Sequence, residues 1–379
     1  MRVLIVPDCF TGTLTAPQAA VAIAAGWARH APWDELELLP LSDGGPGFLD
    51  VLGQALGGRL ITVTVPGPLG EPAPAAVLLA QVPDGVVTGY VESAQACGLH
   101  LLPPGRRDPG VTTTAGVGSV LQAAVDAGAG RVVVGLGGSG TNDAGAGMLA
   151  TLGAGPPAVL AAGGAALAGI TPADLPGLAA VRERWAGVDV VIASDVDVPL
   201  LGFHGASAVF AEQKGASPGQ AQALERCLGD FVAAAVAAGA PATLHTAAGA
   251  GAAGGLGYGL LLLGGHRVSG AGAVLGAVGG QARIAAADLV VTGEGRLDWQ
   301  SLRGKVVAGV AAAGLAAGRP VIVLAGQVEV GRREAQAVGI EAAYPVATSP
   351  QEVAASLADP AGALASLAQR IARTWSPRR

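Results

Sequence analysis

Short apolar runs alternate with alanine-rich stretches along much of the 379-residue chain. Such runs, separated by segments of helical composition, are typical of the strands and helices of a mainly parallel sheet. The predicted strands are Arg2–Val6, Leu36–Leu39, Arg131–Gly135, Val188–Ala193, Asp288–Thr292, Pro320–Leu324 and a further one near 341–346. The pattern therefore predicts an α/β fold.

The first helix is predicted to begin at Thr15-Ala16-Pro17, where a capping side chain precedes a proline. Val21, Ala24, Ala25 and Ala28 then lie along one face at helical spacing.

Residues 60–93 interrupt the alternation of strands and helices. The segments GRLITVTVPGPLG, PAAVLLAQV and GVVTGYVES are predicted to be three successive strands, joined by Pro/Gly turns that leave no room for helices. A meander of this kind belongs to an antiparallel or mixed sheet. We therefore expect a second domain to begin near residue 60 and the regular alternation to return near 288, and the chain length also favours two domains.

Bulk charge and cysteine usage narrow the class of protein. The net charge of −6 argues against nucleic acid as a partner. Cys9, Cys97 and Cys227 match neither a disulfide framework nor a zinc site. The start MRVLIVPD reaches an acidic residue too early for a signal peptide. The uncharged run 246–265 favours a glycine-rich loop feeding a buried helix over a membrane span. We expect a soluble, cytoplasmic protein.

Three residues stand out because their types are rare in this chain. Lys214 and Lys305 are its only lysines, and Asn142 is its only asparagine. A compact ammonium suits phosphate in a way that a planar guanidinium does not, and an amide both donates and accepts hydrogen bonds. Their retention indicates chemistry, although random survival in an arginine-rich composition is the alternative.

Acidic residues follow several predicted strands. They are Asp8, Asp43, Asp195, Asp197, Glu294 and Asp298. In open α/β sheets ligands bind outside the carboxyl ends of the strands, and carboxylates beside glycines suit Mg²⁺ and phosphate. One such residue could simply cap the next helix. Four strand ends of this kind in one chain favour a binding site.

Two glycine-rich loops are candidates for binding an anion. GLGGSG (135–140) matches the dinucleotide fingerprint, but no acidic residue between 144 and 173 could hold a ribose. Gly304-Lys305 is followed by Val306, so a Walker A loop is absent as well. The remaining interpretation is an anion-binding turn with these candidate residues: Gly137, Gly138, Ser139, Thr141 and Asn142. GAGAAGGLGYGLLLL (249–263), with Gly254 and Gly255, is a second candidate, for which close helix packing is an equal alternative.

Eight segments, in this order, resemble the type-1 glycerate kinase family. They are PDCFTGTLTA, SDGGPG, GPLG, TTTAGVGSVL, GLGGSGTNDAGAGML, ASDVDVPLLGFHGASAVFAEQKGA, GAAGGLG and VVTGEGRLDWQSLRGKV. The resemblance implies a flavodoxin-like parallel-sheet domain (1–60 and 265–379) interrupted by an inserted α/β domain with a mixed sheet (61–264). It also places the active site in the cleft between them.

The resemblance implies transfer of a phosphoryl group from ATP, with Mg²⁺, to D-glycerate, giving 2-phosphoglycerate or 3-phosphoglycerate. On this hypothesis Asp143 and Glu294 hold the metal, and Asp195 or Asp197 accepts the hydroxyl proton. Lys305 acts in catalysis and Lys214 in binding, each offsetting anionic charge. Asp8, Asp43 and Asp298 join the glycine loops in binding substrate or nucleotide. The expected partner is a small molecule, with no nucleic acid or membrane, and the chain is expected to be a monomer or homodimer.

Four positions depart from the family's usual residues. Thr11 stands in place of lysine, Pro46 and Ser119 in place of glutamate, and Val198 in place of asparagine. The losses affect the expected substrate pocket more than the phosphate-binding residues. Two alternatives therefore remain open: a kinase of another small hydroxy-acid, and a protein that binds a nucleotide or small acid without turnover.

Overall fold

The computed structural model describes residues 1–10, 12–82 and 85–376. The chain divides into two compact units. Unit 1 contains Met1–Asp43, Asp50–Leu56 and the chain from Ser269 onward, and unit 2 contains Gly44–Leu49 and Gly57–Val268.

The described residues form eleven strands and sixteen α-helices, with short 3-10 turns between them. The strands are β1 (Arg2–Pro7), β2 (Glu35–Leu38), β3 (Arg59–Pro66), β4 (Pro72–Gln81), β5 (Val87–Glu92), β6 (Arg131–Gly135), β7 (Asp189–Ala193), β8 (His266–Val268), β9 (Leu289–Leu297), β10 (Val321–Val328) and β11 (Ala342–Pro345). The helices are α1 (Ala16–His30), α2 (Phe48–Leu56), α3 (Ala94–Cys97), α4 (Ala115–Asp126), α5 (Ala146–Thr151), α6 (Pro157–Leu160), α7 (Leu178–Trp185), α8 (Ala206–Phe210), α9 (Pro218–Ala237), α10 (Ala252–Leu262), α11 (Gly270–Ala277), α12 (Gly280–Ala286), α13 (Val306–Ala317), α14 (Arg332–Ala337), α15 (Pro350–Ala358) and α16 (Pro360–Trp375).

The sheet of unit 1 is parallel throughout its described strands. Its order is β11-β10-β9-β1-β2, and every neighbouring pair runs in the same direction. Strand β9 is longer than predicted, because its pairing with β10 continues to Leu297 opposite Val328. Glu294 therefore lies within a strand rather than after it.

The sheet of unit 2 is mixed. Its described order is β3-β4-β5-β6-β7-β8, in which β3, β4 and β5 form an antiparallel meander and β5 to β8 run parallel. The three strands predicted for residues 60–93 are confirmed. An α/β fold with one parallel sheet and a second, mixed sheet is thus confirmed as well.

Helix α1 begins where it was predicted to begin, but it buries a different face. The Thr15 hydroxyl accepts a hydrogen bond from the Gln18 amide, and the Gln18 side chain accepts one from the Thr15 amide, which completes a capping box. The face that carries Val21 is not the buried one, because Val21 is 60% exposed. The buried side chains are larger and lie elsewhere on the helix, with Ile23 and Trp27 fully buried. Alanines on all sides of α1 make its periodicity uninformative.

Helices α1 and α16 of unit 1 are in close backbone contact. A Cβ atom placed on Gly26 would lie 2.0 Å from the Ala365 carbonyl oxygen. Trp27 beside it donates its indole N–H to Asp34 at 2.9 Å. Glycine at position 26 therefore lets the two helix backbones meet.

The glycine-rich run 246–265 contains the buried helix that was expected. In α10 most side chains are buried, including Leu256 and Tyr258. Among the helices of the described residues, none is both long enough and apolar enough to cross a membrane.

We predict that Gly26→Ala destabilises the protein by about 1–3 kcal/mol or more, because the added methyl group overlaps the backbone of α16. The matched control is Gly53→Ala in α2, where a Cβ would meet nothing within 4 Å. This control should stabilise the protein by about 0.5–1 kcal/mol through helix propensity. Urea unfolding measures both changes, and equal stabilities for the two variants would contradict the α1–α16 contact.

Candidate functional site

Two buried carboxylates of unit 1 lie side by side, one directly after β1 and the other within the adjacent strand β9. The Asp8 amide donates to the Gly293 carbonyl at 2.8 Å, which continues the register of β1 beside β9 and brings Asp8 next to Glu294. Both side chains are buried, with Asp8 8% and Glu294 7% exposed. Parallel pairing therefore places the two predicted site residues together.

Burial controls the ionisation of both carboxyl groups. Desolvation raises the pKa of Asp8 to about 8, with further contributions from the negative charges of Asp43 and Glu294. Desolvation likewise raises the pKa of Glu294 to about 7, against the lowering effects of the Ser301 hydroxyl and the Lys305 ammonium. Both groups thus change charge near neutral pH, as residues at functional sites commonly do.

The loop after β9 carries Asp298 and Lys305. Asp298 Oδ1 accepts hydrogen bonds from the Gln300 amide at 2.8 Å and the Ser301 amide at 3.2 Å, so this carboxylate shapes the loop. Lys305 occupies the N-cap position of α13. The predicted residues Asp8, Asp43, Glu294, Asp298 and Lys305 therefore all belong to unit 1, and the charges of Asp43, Asp298 and Lys305 all act on Glu294.

The carboxylates of unit 1 suit a magnesium ion that keeps water and phosphate ligands. In the described part of the chain, no group of three or more His, Cys, Asp or Glu side chains is arranged around a common metal position. Mg²⁺ rarely needs such a group, because one or two carboxylates with substrate phosphates and waters complete its coordination. Glu294 Oε1 is buried and has no hydrogen-bond partner among the described residues, so this oxygen is available to coordinate a cation.

The two predicted glycine loops of unit 2 are in direct contact. The Ala144 amide donates to the Gly254 carbonyl at 3.1 Å, and a Cβ on Gly254 would lie 1.9 Å from the Thr141 carbonyl oxygen. Gly254 and Gly255 have φ values of 68° and 88°, which favour glycine. The close-packing interpretation of the second loop therefore holds, the same residues bring this loop to the first one, and anion binding stays a prediction.

Lys214 is buried beneath the first glycine loop. Its side chain is among the largest that are fully buried, and Nζ donates to Ser139 Oγ at 2.9 Å and to the Thr141 carbonyl at 2.7 Å. Desolvation lowers the pKa of Lys214 to about 8, opposed by the negative charges of Cys97 and Asp143. Lys214 therefore stabilises the conformation of this loop through hydrogen bonds on its buried side.

The residues after Ser139 point into the protein. Asn142 is fully buried, and its Nδ2 donates to Ser207 Oγ at 3.0 Å while Oδ1 has no partner. Asp143 is also fully buried and accepts hydrogen bonds from the Thr114 amide, the Thr114 hydroxyl and the amides of Gly145 and Gly147. These four donors weigh against the metal role predicted for Asp143 and favour an anchoring role for its carboxylate.

Asp195 and Asp197 follow β7, as predicted. Asp197 is exposed and Asp195 is half-buried. The Val198 carbonyl, next in the chain, accepts from the Gly251 amide at 3.0 Å, so this segment runs beside the second glycine loop. The segment that follows β7 is therefore close to the second glycine loop of unit 2.

Glu92 was not among the predicted site residues. It is buried at the end of β5, and its Oε2 accepts from the amides of Gly47 at 3.1 Å and Leu49 at 3.3 Å. It thereby fixes the segment that carries Pro46. The signal that identified the other acids, a carboxylate directly after an apolar run, was present in GVVTGYVES as well.

Two of the four departures from the family pattern lie against the glycine loops. A Cβ on Gly138 would lie 2.9 Å from the ring of Pro46, and one on Gly251 would lie 2.9 Å from Val198 Cγ2. Ser119 is half-buried on α4. Thr11 lies outside the described residues.

Strand-end carboxylates in one unit and glycine loops above a buried cation in the other define an α/β protein suited to phosphorylated ligands. The profile of the Glycerate kinase family matches residues 3–376, and the chain belongs to this family. It is 40% identical to the glycerate kinase of Bacillus subtilis (strain 168), over 91% of this chain and 90% of that one. It is 36% identical to the glycerate 2-kinase of Escherichia coli (strain K12), over 92% and 91%. A crystal structure assigned to a glycerate kinase 2 of Salmonella typhimurium LT2 is 34% identical, with a TM-score of 0.78 and coverage of 99% of this chain and 98% of that chain.

We predict that Asp8→Asn is more stable than the wild type at pH about 8.5 and that the difference shrinks toward pH about 5. A raised pKa means that the stability contribution of Asp8 is complete below its unfolded value of 3.8 and is lost as the pH rises through about 8. The loss is on the order of a few kcal/mol. Thermal melts at both pH values measure it.

The control for this prediction is Glu341→Gln, which neutralises an exposed carboxylate of unit 1. It should change the melting temperature little at either pH. A difference between Asp8→Asn and the wild type that does not depend on pH would show that Asp8 ionises normally.

Proposed function

We propose that the protein is a kinase that transfers a phosphoryl group from ATP to D-glycerate and that the product is 2-phosphoglycerate. The observation that carries this proposal is the membership of the whole chain in the Glycerate kinase family, with the charged groups of both units retained. The name of the Escherichia coli relative, glycerate 2-kinase, supports the 2-hydroxyl as the acceptor.

We also propose that unit 1 is flavodoxin-like and that residues 61–264 form a domain inserted into it. Renumbered within unit 1, its strands have the order 2-1-3-4-5, which is the order of that fold. Ligands of such sheets bind at the carboxyl ends of the strands, where Asp8 and Glu294 lie.

In unit 1, Glu294 with Asp43 would hold Mg²⁺. The ion, when bound, neutralises charge on the transferring phosphoryl group. Lys305 would add a second positive charge near Glu294, since the charge of its ammonium lowers the pKa of that carboxyl group. Phosphoryl transfer demands positioning and neutralisation above all, so these groups are the ones whose loss should affect turnover most.

The proton of the substrate hydroxyl has two candidate acceptors. Asp195 or Asp197 is the acceptor expected from the sequence, and both follow β7 in unit 2. Asp8 is the stronger candidate by ionisation, since a general base works best with a pKa near the operating pH. The pH dependence of kcat/KM should have a limb near pH 8. If Asp8→Asn loses this limb and Asp195→Asn keeps it, Asp8 is the proton acceptor.

The glycine loops of unit 2 would bind anionic oxygens of the ligands. Ser139 and the backbone amides around Gly137 and Gly138 are the donors that loop 137–141 offers, because Thr141 and Asn142 are buried. Retained acids and lysines argue against binding without turnover, since a simple binder of anions gains little from several carboxylates near them.

A different small hydroxy-acid is the second candidate substrate, and the position of Pro46 favours it. The ring of Pro46 rests on Gly138, where the family usually has a glutamate. A pocket that has exchanged a carboxylate for an apolar ring has lost a hydrogen-bond acceptor for substrate hydroxyl groups, which favours an acceptor with fewer of them. Purified protein incubated with MgATP and a panel of hydroxy-acids, with phosphorus NMR of the products, decides between the two candidates. Absence of any phosphorylated product would refute the kinase assignment.

We predict that Lys305→Arg lowers kcat by about a hundredfold or more, since loss of a contact to a transferring group costs about 2.7–4 kcal/mol. Its stability should change by no more than about 0.5 kcal/mol. Steady-state kinetics and thermal melts measure the two effects. Arg303→Lys, which alters the neighbouring cation above the Trp299 ring, is the control and should keep its activity. Full activity of Lys305→Arg would remove Lys305 from catalysis.

We predict that Pro46→Glu raises kcat/KM for D-glycerate, and that adding Thr11→Lys raises it further, to a total of about tenfold to hundredfold. A restored cation would contribute a charge-assisted hydrogen bond of about 1.5–3 kcal/mol. Kinetics with D-glycerate test both variants singly and together. A wild type that is already efficient and gains nothing from either change would show that these departures do not alter the substrate pocket.

A further inference from the structure

We propose that the Ser139 hydroxyl is a directed donor to an anionic oxygen of a bound ligand, and that Lys214 sets its direction without touching the ligand. The inference rests on the proposed function only for the identity of the ligand. In this assignment Ser139 belongs to the binding site and Lys214 is a positioning residue.

The direction of the Ser139 hydroxyl follows from the chemistry of its neighbour. A lysine ammonium has three N–H donors and no acceptor, so Ser139 Oγ must accept the hydrogen bond from Lys214 Nζ at 2.9 Å. The O–H bond of Ser139 then has to point away from the ammonium. Within the described residues no side chain or carbonyl accepts this proton, which leaves it available to a ligand.

The backbone holds Ser139 in place on both sides. The Gly138 carbonyl accepts from the Leu99 amide at 2.8 Å, and the Gly140 amide donates to the Cys97 carbonyl at 2.8 Å. Ser139 itself pairs with Gly98 as a short antiparallel bridge. The loop therefore cannot turn to give the hydroxyl an internal acceptor without breaking these bonds.

The charge of Lys214 is buried without a contacting carboxylate. Among the described residues, its hydrogen-bond partners are the Ser139 hydroxyl and the Thr141 carbonyl, which are both neutral. Asp143 acts on it through space, but that carboxylate already accepts four hydrogen bonds. Burying a cation without a counter-ion has a high free-energy cost. An anionic oxygen that accepts from the Ser139 hydroxyl would bring negative charge close to the ammonium, separated from it only by that hydroxyl.

The side chains differ in their access to a ligand. Lys214 is 2% exposed and Ser139 is 9% exposed. The hydroxyl is thus the part of this pair that can meet an oxygen from outside, and the ammonium strengthens it as a donor by withdrawing electron density. Phosphoryl and carboxylate oxygens share the required chemistry, so both ATP and D-glycerate are possible sources.

A double-mutant cycle tests the inference with Ser139→Ala, Lys214→Met and the combined variant. We expect each single change to lower kcat/KM about tenfold to hundredfold, as for loss of a charge-assisted hydrogen bond. The combined variant should lose no more than the worse single variant, because both changes remove the same donor. Separate KM values for MgATP and D-glycerate then show which substrate supplies the oxygen.

The matched control is Ser93→Ala. Ser93 is a fully buried serine of unit 2, and its hydroxyl donates to the Gly135 carbonyl at 2.8 Å. This variant should have a lower melting temperature and unchanged kinetic constants. Ser139→Ala keeps the lysine and is itself decisive if Lys214→Met does not fold.

Two results would overturn the inference. Losses that multiply in the combined variant would mean that Lys214 meets the ligand itself. A lower melting temperature with unchanged kinetics in Ser139→Ala would mean that the hydroxyl is only structural.

A binding measurement separates this inference from the kinase assignment. Pyrophosphate and D-glycerate, added separately, should raise the melting temperature of the wild type, and Ser139→Ala should lose one of the two shifts. If this loss occurs while the wild type phosphorylates no hydroxy-acid, the kinase assignment fails and the Ser139 assignment stands. If the wild type is active and Ser139→Ala keeps both shifts and full activity, only the Ser139 assignment fails.

Discussion

The conformation of the glycine loop in unit 2 depends on a lysine that lies inside the protein. Lys214 donates to a side chain and to a carbonyl of the segment 139–141, and these two bonds fix where the loop can direct its own donors. This arrangement has a free-energy cost, because the charge of Lys214 is buried away from water. Such an arrangement is costly for folding alone, and it becomes favourable when an anion completes it.

In unit 1 the unbalanced buried groups are carboxylates, whose charge is opposite to that of Lys214. Asp8 and Glu294 are buried close to each other; burial raises the pKa of both, and the charge of Glu294 raises that of Asp8 further. Folding has thus to tolerate excess negative charge at one group of residues and excess positive charge at another. Magnesium would relieve the first and a phosphoryl or carboxylate oxygen the second, which is the pairing that a reaction of MgATP supplies.

The sequence was informative where one local rule determined the outcome. Apolar runs located the strands, with β6 predicted to the residue, and acids after those runs located Asp8 and Glu294. It was misleading in α1, where alanines on every side concealed that Ile23 and Trp27 form the packing face. Asp143 has the sequence context of a ligand-binding acid, and only the fold shows that Thr114 and two backbone amides occupy its oxygens. The local pattern of residues along the sequence does not reveal contacts between residues that are far apart in the chain.

Rarity of a residue type showed that a position is constrained without showing the nature of the constraint. The lone asparagine, Asn142, is fully buried and donates to Ser207, so packing and hydrogen bonding inside the protein explain its retention as well as ligand binding does. Lys214 is retained for a related reason, since its single ammonium reaches two oxygens in a space where a planar guanidinium would need more donors satisfied. Lys305, by contrast, is half-buried at the start of α13 and acts on Glu294 by charge. Two of the three rare residues therefore stabilise the glycine-loop region of unit 2, and the third acts on the charge of a carboxylate in unit 1.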